Sequence, residues 1–270
     1  MDMDELRARF DLAISVAIEG GEVALGHYRN LGALTIEHKG VQDPVSEADR
    51  QTEDLIKTRI LGAFPGDAFV GEESGAQNVD ESRGTWVVDP IDGTQPFLLG
   101  IPAWCVSIAY VEDGQVQIGV IRDPVLDVTY AAMRGHGATR NGQPMKVSDA
   151  TALNQGLTGL GCSSRTNAED LGHMARELRA AGGMYHRIGS GALTLTFVAT
   201  GQLIGYIEMY INSWDCLAAV LLIQESDGVV NDFLGQYGIT GGGPIVAGAP
   251  GVYSELMSLL PAHVREIMPS

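Results

Sequence analysis

The stretch Trp86-Val87-Val88-Asp89-Pro90-Ile91-Asp92-Gly93-Thr94 is an apolar run that ends in two carboxylates, a glycine and a hydroxyl. The apolar run predicts a buried strand, and Asp89-Pro90 predicts a tight turn after it. Such a turn can direct both carboxylates and the Ile91 carbonyl into one space, and hard divalent cations favour such oxygen clusters. Gly93 and Thr94 then offer amide groups to a phosphate. Taken alone, the motif is equally typical of an aspartate-rich turn.

The composition limits the class of protein. With 270 residues, 45% of them hydrophobic, the chain can form one large domain or two tightly packed halves. The net charge of −17, from 34 acidic and 17 basic residues, argues against a nucleic-acid or anionic-membrane partner and implies that phosphate binding needs metal. The three cysteines form no CxxC pair, the N-terminus is acidic and no apolar run is long enough to span a membrane. We therefore expect a reduced, soluble, cytoplasmic protein.

Two further acidic motifs precede the central strand. Ser46 and Asp49 form an S-x-x-D capping box, which predicts a helix after Ser46 and gives Asp49 a purely structural explanation. Glu72 and Glu73 follow a short apolar segment, and adjacent acids repel unless a cation lies beside them. A solvated loop is the simpler explanation of this second motif.

The later segment 207–219 carries two more acids of interest. Asp215 stands where a helix is predicted to begin, and such an aspartate is commonly only a cap. Strand-to-helix junctions are also where α/β sites assemble. Glu208 is predicted at the end of a strand over 203–208, where an ordinary surface acid is the alternative. Downstream, the triple glycine 241–243 lacks the lysine of a P-loop and predicts a flexible turn.

The predicted elements change in style near residue 148. Before it, a hairpin with its turn at 112–115 and a strand near 128–133 predict an antiparallel sheet. After it, short strands alternate with helices. We predict an α+β half, 1–148, with most of the metal ligands, and an α/β half, 149–270, that completes the site within one integrated unit. Five acids fall at predicted element boundaries, which makes coincidence the weaker explanation: Asp49, Glu72, Asp89, Asp92 and Asp215.

Four motifs in order resemble the signatures of the inositol monophosphatase family, the Mg²⁺-dependent, lithium-sensitive sugar phosphatases. They are the central stretch, residues 43–49, Gly71-Glu72-Glu73-Ser74, and Trp214-Asp215-Cys216-Leu217-Ala218-Ala219 with its continuation to Asp227. The resemblance covers most of the chain and implies an α+β fold of five layers, an α/β/α/β/α sandwich, and a homodimer. Two departures stand out: Gln95-Pro96-Phe97 replaces the usual Thr-Asn-Phe, and Ser226-Asp227 replaces Ala-Gly.

The resemblance also implies a set of metal ligands. A first Mg²⁺ would be bound by Glu72, Asp89 and the Ile91 carbonyl, and a second by Asp89, Asp92 and Asp215. A weaker third ion would lie near Glu72 and Asp49. Two or three ions per site are therefore expected, with Mn²⁺ as a substitute.

The resemblance further implies the roles of the other site residues. Glu72 and Thr94 would orient the attacking water, with Asp49 as a third catalytic residue, and the Gly93 and Thr94 amides would hold phosphate oxygens. The remaining substrate contacts would come from Asp92, Gly191, Glu208 and Asp215.

The implied reaction is hydrolysis of a small polyol or sugar phosphate, such as inositol 1-phosphate, by metal-activated water without a covalent intermediate. Residues 100–104 are similar to histidinol-phosphate phosphatases, so histidinol phosphate remains an alternative substrate, as do sugar and nucleotide bisphosphates. A catalytically silent regulatory or binding relative is the alternative of another class. A haloacid-dehalogenase phosphatase is excluded, because its two aspartates lie two residues apart and those here lie three apart.

Overall fold

The computed structural model describes residues 2–34, 36–40, 43–77, 79 and 84–268. The described residues form nine α-helices and fifteen strands. The helices are α1 (Met3–Tyr28), α2 (Glu47–Ala63), α3 (Thr94–Leu98), α4 (Ala168–Ala180), α5 (Gly191–Ala199), α6 (Ser213–Gln224), α7 (Phe233–Tyr237), α8 (Tyr253–Ser258) and α9 (Ala262–Arg265). The strands are β1 (Ile36–Gly40), β2 (Asp43–Ser46), β3 (Ala68–Gly71), β4 (Gly75–Gln77), β5 (Thr85–Asp92), β6 (Cys105–Glu112), β7 (Gln115–Asp123), β8 (Val128–Met133), β9 (Ala138–Arg140), β10 (Gln143–Pro144), β11 (Leu157–Leu160), β12 (Met184–His186), β13 (Gly205–Asn212), β14 (Val229–Val230) and β15 (Gly242–Gly248).

Two sheets organise the molecule. The larger has the order β10-β9-β8-β7-β6-β5-β3-β4, and its pairs are antiparallel except for β3 with β5. The smaller has the order β12-β11-β13-β15-β14, with β11 parallel to both of its neighbours and β15 antiparallel to β13 and β14. The hairpin predicted around residues 112–115 is confirmed as β6 and β7. The predicted division at residue 148 lies between the two sheets and stays a prediction about folding units.

The apolar clusters show how the layers stack. Helices α1 and α2 pack on one face of the larger sheet, through residues such as Val16 and Ile56. Helices α5 and α6 fill the space between the sheets and are apolar on nearly all sides, as expected for helices enclosed by two layers. Helices α4 and α8 cover the outer face of the smaller sheet. The five-layered α/β/α/β/α sandwich that the resemblance implied is confirmed.

Close contact between α6 and the larger sheet depends on a glycine. A Cβ at Gly119 of β7 would lie 2.4 Å from the carbonyl oxygen of Ala218, so a side chain there would push α6 away. Within the described ranges, no helix is both long and apolar enough to cross a bilayer.

Two predicted boundaries in the second half were wrong. The strand predicted over 203–208 is β13 (Gly205–Asn212), so Glu208 lies in mid-strand rather than at an end, because pairing with β15 continues beyond a register shift after Glu208. Gly242 and Gly243 belong to β15 instead of a flexible turn. They are needed there because Cβ atoms at these positions would lie 2.7 Å from the Tyr210 ring and 2.5 Å from the Tyr237 ring.

Candidate metal centre and active site

Three aspartates from two elements meet at the C-terminal end of β5. One carboxylate oxygen each from Asp89, Asp92 and Asp215 lies within 4.8 Å of the others, and these three form the acidic cluster of the described residues. In a regular strand, residues three apart point to opposite faces. The register of β5 against β6 shifts between Asp89 and Asp92, and this irregularity allows both to point to the same side. Pro90 lies within it and has no N–H for the ladder.

The electrostatics of the cluster fit a divalent cation. Burial raises the pKa of Asp89 well above its usual value, and the neighbouring carboxylates of Glu72, Asp215 and Asp92 raise it further. Burial and the charge of Asp92 raise the pKa of Asp215 to about 7. Carboxylates this close repel one another unless a cation lies among them. An all-oxygen donor set of this kind suits a hard ion such as Mg²⁺.

Asp92 is held by the N-terminus of α5. The amides of Ala192 and Gly191 donate to its two oxygens at 2.8 and 3.3 Å, and the hydroxyl of Ser190 donates to Oδ2. Burial raises the pKa of Asp92, and these hydrogen bonds oppose the rise. Gly191, the predicted substrate contact, therefore gives its amide to a member of the acidic cluster. Ser190 was missed in the sequence, where its only signal is its position before the helix.

Asp215 lies in the first turn of α6, two residues inside its start. Asn212 is the N-cap, and its amide and its side-chain Nδ2 each donate to Asp215 Oδ2 at 3.2 Å. The side chain of Asp215 thus caps the helix from its third position, whereas the sequence placed it at the start. The helix end fixes the carboxylate beside Asp89 and Asp92.

Glu72 reaches the cluster from the loop after β3, and a buried acid in α2 holds that loop. Glu53 is 1% exposed, and its carboxylate accepts the amides of Glu73 and Ser74, both at 2.8 Å. A Cβ at Gly71 would lie 2.4 Å from the Glu53 carboxyl carbon, so glycine is required above it. The Glu72 side chain then hydrogen-bonds to Asp89. Glu53 was missed because a glutamate inside a helical pattern is usually solvated.

Asp49 forms the predicted capping box of α2. The amide and the hydroxyl of Ser46 donate to its Oδ2 at 2.8 and 2.7 Å, and the side chain is buried. This structural role of Asp49 is confirmed. Its catalytic role and the third metal site stay predictions.

The irregular end of β5 and the residues after it place the remaining groups of the central motif. The tight turn predicted at Asp89-Pro90 was wrong, because β5 continues through a register shift to Asp92. Asp89 Oδ1 accepts the amide of Ile91 at 2.9 Å, and the hydroxyl of Thr94 donates to the Ile91 carbonyl at 3.2 Å. A carbonyl oxygen has two lone pairs, so Ile91 retains one for a metal. Gly93 has a φ of +94° and begins α3, and a Cβ there would lie 2.7 Å from the Ala103 carbonyl oxygen. Only glycine fits this position.

A cavity of about 150 Å³ opens beside Asp92 and Asp215. Its wall includes the buried carboxyl of Glu208, whose pKa is raised to about 8, chiefly by burial. The hydroxyl of Tyr206 donates to Glu208. A wider groove of about 720 Å³, lined by Glu72, Gly93 and Thr94 among others, adjoins the cavity. Residues shared by both walls are Cys162, Ser163, Arg165, Arg187, Gly189 and Asn212.

Comparison with known proteins points to one family. A model of the inositol monophosphatase family matches residues 5–268. An inositol-1-monophosphatase of Mesorhizobium japonicum is 36% identical over 244 residues, which cover 89% of this chain and 91% of the relative. A Nus factor SuhB of Pseudomonas aeruginosa is 32% identical over 265 residues, covering 96% and 98%.

Solved structures agree. The extragenic suppressor protein suhB of Bartonella henselae superposes with a TM-score of 0.88 at 30% identity, covering 94% of this chain and 99% of that one. An IMPase of Thermotoga maritima superposes with a TM-score of 0.84 at 28% identity, covering 96% and 99%.

Proposed function

The chain belongs to the inositol monophosphatase family, and from that premise we propose that it is a metal-dependent phosphomonoesterase acting on a small phosphorylated polyol or sugar, such as inositol 1-phosphate. The observation that supports this most is the cluster of Asp89, Asp92 and Asp215, joined by Glu72, beside a cavity of small-molecule size. A site of this kind brings together a cation, a phosphate and an alcohol.

The ligand assignment follows the same residues. Asp89, Asp92, Asp215, Glu72 and the Ile91 carbonyl would hold two Mg²⁺ ions, with Mn²⁺ as a substitute. When bound, such ions hold the phosphate, lower the pKa of a water and stabilise the leaving oxygen. A third ion would lie near Glu72 and Asp49. It has less support, because Asp49 Oδ2 already accepts two hydrogen bonds from Ser46.

The chain's own groups would position the reactants. Thr94 is held by its hydrogen bond to the Ile91 carbonyl, and together with Glu72 it would orient the attacking water. The amides of Gly93 and Thr94, which line the groove, would hold phosphate oxygens.

The cavity beyond Asp92 and Asp215 would receive the alcohol part. Burial raises the pKa of Glu208 to about 8, which disfavours the ionised form that the cationic amine of histidinol phosphate would need. The Glu208 carboxyl can accept hydrogen bonds from polyol hydroxyls in either protonation state.

A regulatory role without catalysis is the second candidate. It is motivated by relatives named Nus factor SuhB, such as that of Pseudomonas aeruginosa, which is 32% identical to this chain. The intact set of acids argues against it, because a protein that has lost the chemistry has no need of the whole cluster. The absence of a nucleic-acid partner stays a prediction from the net charge. Inhibition by lithium and a homodimer remain predictions from the family resemblance. A cytoplasmic location remains a prediction from the composition.

A substrate panel tests the proposal. Phosphate release would be measured with Mg²⁺ on inositol 1-phosphate, histidinol phosphate, fructose 1,6-bisphosphate and adenosine 3′,5′-bisphosphate. We expect turnover that is abolished by EDTA, and uncompetitive inhibition by Li⁺. Failure to release phosphate from all four compounds would support the regulatory candidate. Purely competitive inhibition by Li⁺ would contradict the expectation that Li⁺ occupies the second metal position after the alcohol has left.

A further inference from the structure

Two arginines lie at the mouth of the candidate site. Arg165 and Arg187 are exposed and line both the cavity beside the aspartates and the adjoining groove. In the described part of the chain, neither guanidinium forms an ion pair. In a chain with 34 acidic and 17 basic residues, two unpaired guanidinium groups beside a cluster of aspartates are unexpected unless they serve a ligand.

Both side chains are anchored to residues of the site wall. Arg165 Nη1 donates to Asn212 Oδ1 at 2.9 Å, and its guanidinium carbon lies 4.7 Å from the centroid of the Tyr210 ring. Since Asn212 also hydrogen-bonds to Asp215, Arg165 is only one side chain away from the acidic cluster. Arg187 Nη2 donates to the Cys162 carbonyl at 3.1 Å. A guanidinium has five N–H donors, so each arginine retains donors for a ligand.

The charged residues on the cavity wall indicate where a second anionic group could bind. Asp92 and Asp215 on its wall are proposed metal ligands, and the basic side chains of the wall are Arg165 and Arg187, so a second anionic group on the alcohol part of a substrate would find its cationic partners at the arginines. Arg187 is near enough to lower the pKa of Glu208, in opposition to the larger effect of burial. Guanidinium groups bind phosphate and carboxylate through paired, charge-assisted hydrogen bonds.

We propose that Arg165 and Arg187 form a subsite for a second anionic group, so that the preferred substrate is a phosphomonoester carrying another phosphate or a carboxylate. This inference rests on the proposed function. The reacting phosphate lies at the aspartates with Glu72 and Thr94, the carbon skeleton lies against Glu208, and the second anion lies at the arginines.

The test compares substrates that differ only in the second anion. Fructose 1-phosphate and fructose 1,6-bisphosphate form one pair, and glycerol 1-phosphate and 3-phosphoglycerate form a second pair that replaces the phosphate by a carboxylate. The variants are Arg165→Gln, Arg187→Gln and their double variant. Arg265→Gln, an exposed arginine on α9 that lines neither cavity, is the matched control.

We expect each single substitution to lower kcat/KM on the bisphosphate by about tenfold or more, the scale of a charge-assisted hydrogen bond. On fructose 1-phosphate the change should stay below about threefold, which is the scale of exposed charges acting at a distance. Arg187→Lys keeps the charge and should recover part of the loss. The substrate pair whose kcat/KM ratio changes most in the arginine variants identifies phosphate or carboxylate as the second anion.

Other outcomes overturn the subsite. Equal losses on both members of a pair would place the arginines at the reacting phosphate, and unchanged kinetics would leave them without a role in binding. If the unmodified chain hydrolyses neither these four compounds nor inositol 1-phosphate, the proposed function fails, and calorimetric binding then decides the subsite separately. The subsite requires tighter binding of fructose 1,6-bisphosphate than of fructose 1-phosphate, and it requires that the difference disappear in the double variant.

Discussion

Asp92 links the larger sheet to helix α5 through hydrogen bonds. It ends β5 of the larger sheet, and its oxygens accept donors from Ser190, Gly191 and Ala192 at the start of α5. Ser190 also accepts the amide of Leu193, so one hydroxyl both caps α5 and holds the carboxylate. Any displacement of α5 relative to β5 therefore moves a proposed metal ligand.

We expect Asp92→Asn to lower kcat by at least about a hundredfold, because removing a single electrostatic group from an active site typically has an effect of this size. The protein should remain folded. The substitution removes a charge from the cluster and keeps the shape of the side chain. Because burial raises the pKa of Asp92, neutralising this residue relieves repulsion in the folded state. Phosphate release and thermal melts measure the two effects.

Asp113→Asn is the matched control for that substitution. Asp113 lies in the β6–β7 turn with a φ of +52°, which asparagine tolerates equally well. Near-normal activity of Asp92→Asn at saturating Mg²⁺ would remove Asp92 from the ligand set.

Glu208→Gln separates the two alcohol classes. Glutamine keeps an acceptor for the Tyr206 hydroxyl and for a substrate hydroxyl, so we expect kcat/KM on inositol 1-phosphate to fall by less than about tenfold. If the substrate carried an amine, losing its ion pair with Glu208 would remove roughly 2–3 kcal/mol of transition-state stabilisation. The value of kcat/KM would then fall about thirtyfold to more than a hundredfold. A hundredfold loss on the best substrate, with an unchanged Mg²⁺ requirement, would favour histidinol phosphate.

Among the helices and strands, features that depend on residues close in sequence could be predicted, and features that depend on residues far apart in sequence could not. The α2 capping box and the β6–β7 hairpin depend on residues close in sequence, and both were predicted. The length of β13 depends on its pairing with β15, and the strand position of Gly242 and Gly243 depends on two tyrosine rings. No periodicity within either segment carries that information.

The same distinction applies to the site. Aspartates at the ends of apolar segments could be predicted to converge, because such ends meet at one edge of a sheet. Glu53 could not be recognised, since its partners are amides twenty and twenty-one residues away. The anchors of Arg165 and Arg187 are likewise side-chain and carbonyl groups on other elements.

Glu53→Gln tests how α2 positions the loop that carries Glu72. One of the two carboxylate oxygens becomes an NH₂ group facing an amide N–H, so one hydrogen bond is lost, worth on the order of 1–3 kcal/mol of stability. We expect the Mg²⁺ concentration for half-maximal activity to rise, because Glu72 is no longer held beside Asp89. Mg²⁺ titrations of activity, performed well below the melting temperature, measure this effect.

Asp54→Asn, on the exposed face of the same helix, is the control for Glu53→Gln. A lower melting temperature with an unchanged Mg²⁺ dependence would show that Glu53 supports the fold alone.

At the scale of the whole molecule, the middle layer explains how so many acids can be buried together. Helices α5 and α6 both begin beside the end of β5: the first turn of α5 donates to Asp92, and the first turn of α6 contains Asp215. A helix N-terminus carries a partial positive charge that stabilises nearby carboxylates. Two such termini offset only part of the repulsion, because the pKa values of Asp89, Asp92 and Asp215 are still raised.

This residual repulsion predicts how the stability of the metal-free protein depends on pH. The pKa of Glu208 rises from 4.5 to about 8 on folding, and that of Asp215 from 3.8 to about 7. Between about pH 4 and pH 8 the folded state therefore holds protons that the unfolded state has released, so the free energy of unfolding falls as pH rises. In EDTA, we expect the melting temperature to decrease across this window.

Mg²⁺ should reverse the decrease, most strongly near pH 8, because the ionised carboxylates then bind the cation and ligand binding stabilises the folded state. Near pH 5, protons compete with the metal, so the two melting curves should converge. Glu208→Gln removes one of the raised pKa values and should flatten the pH dependence in EDTA while leaving the response to Mg²⁺. Melting temperatures at pH 8 that are the same in EDTA and in millimolar Mg²⁺ would contradict the metal centre, whatever the activity measurements show.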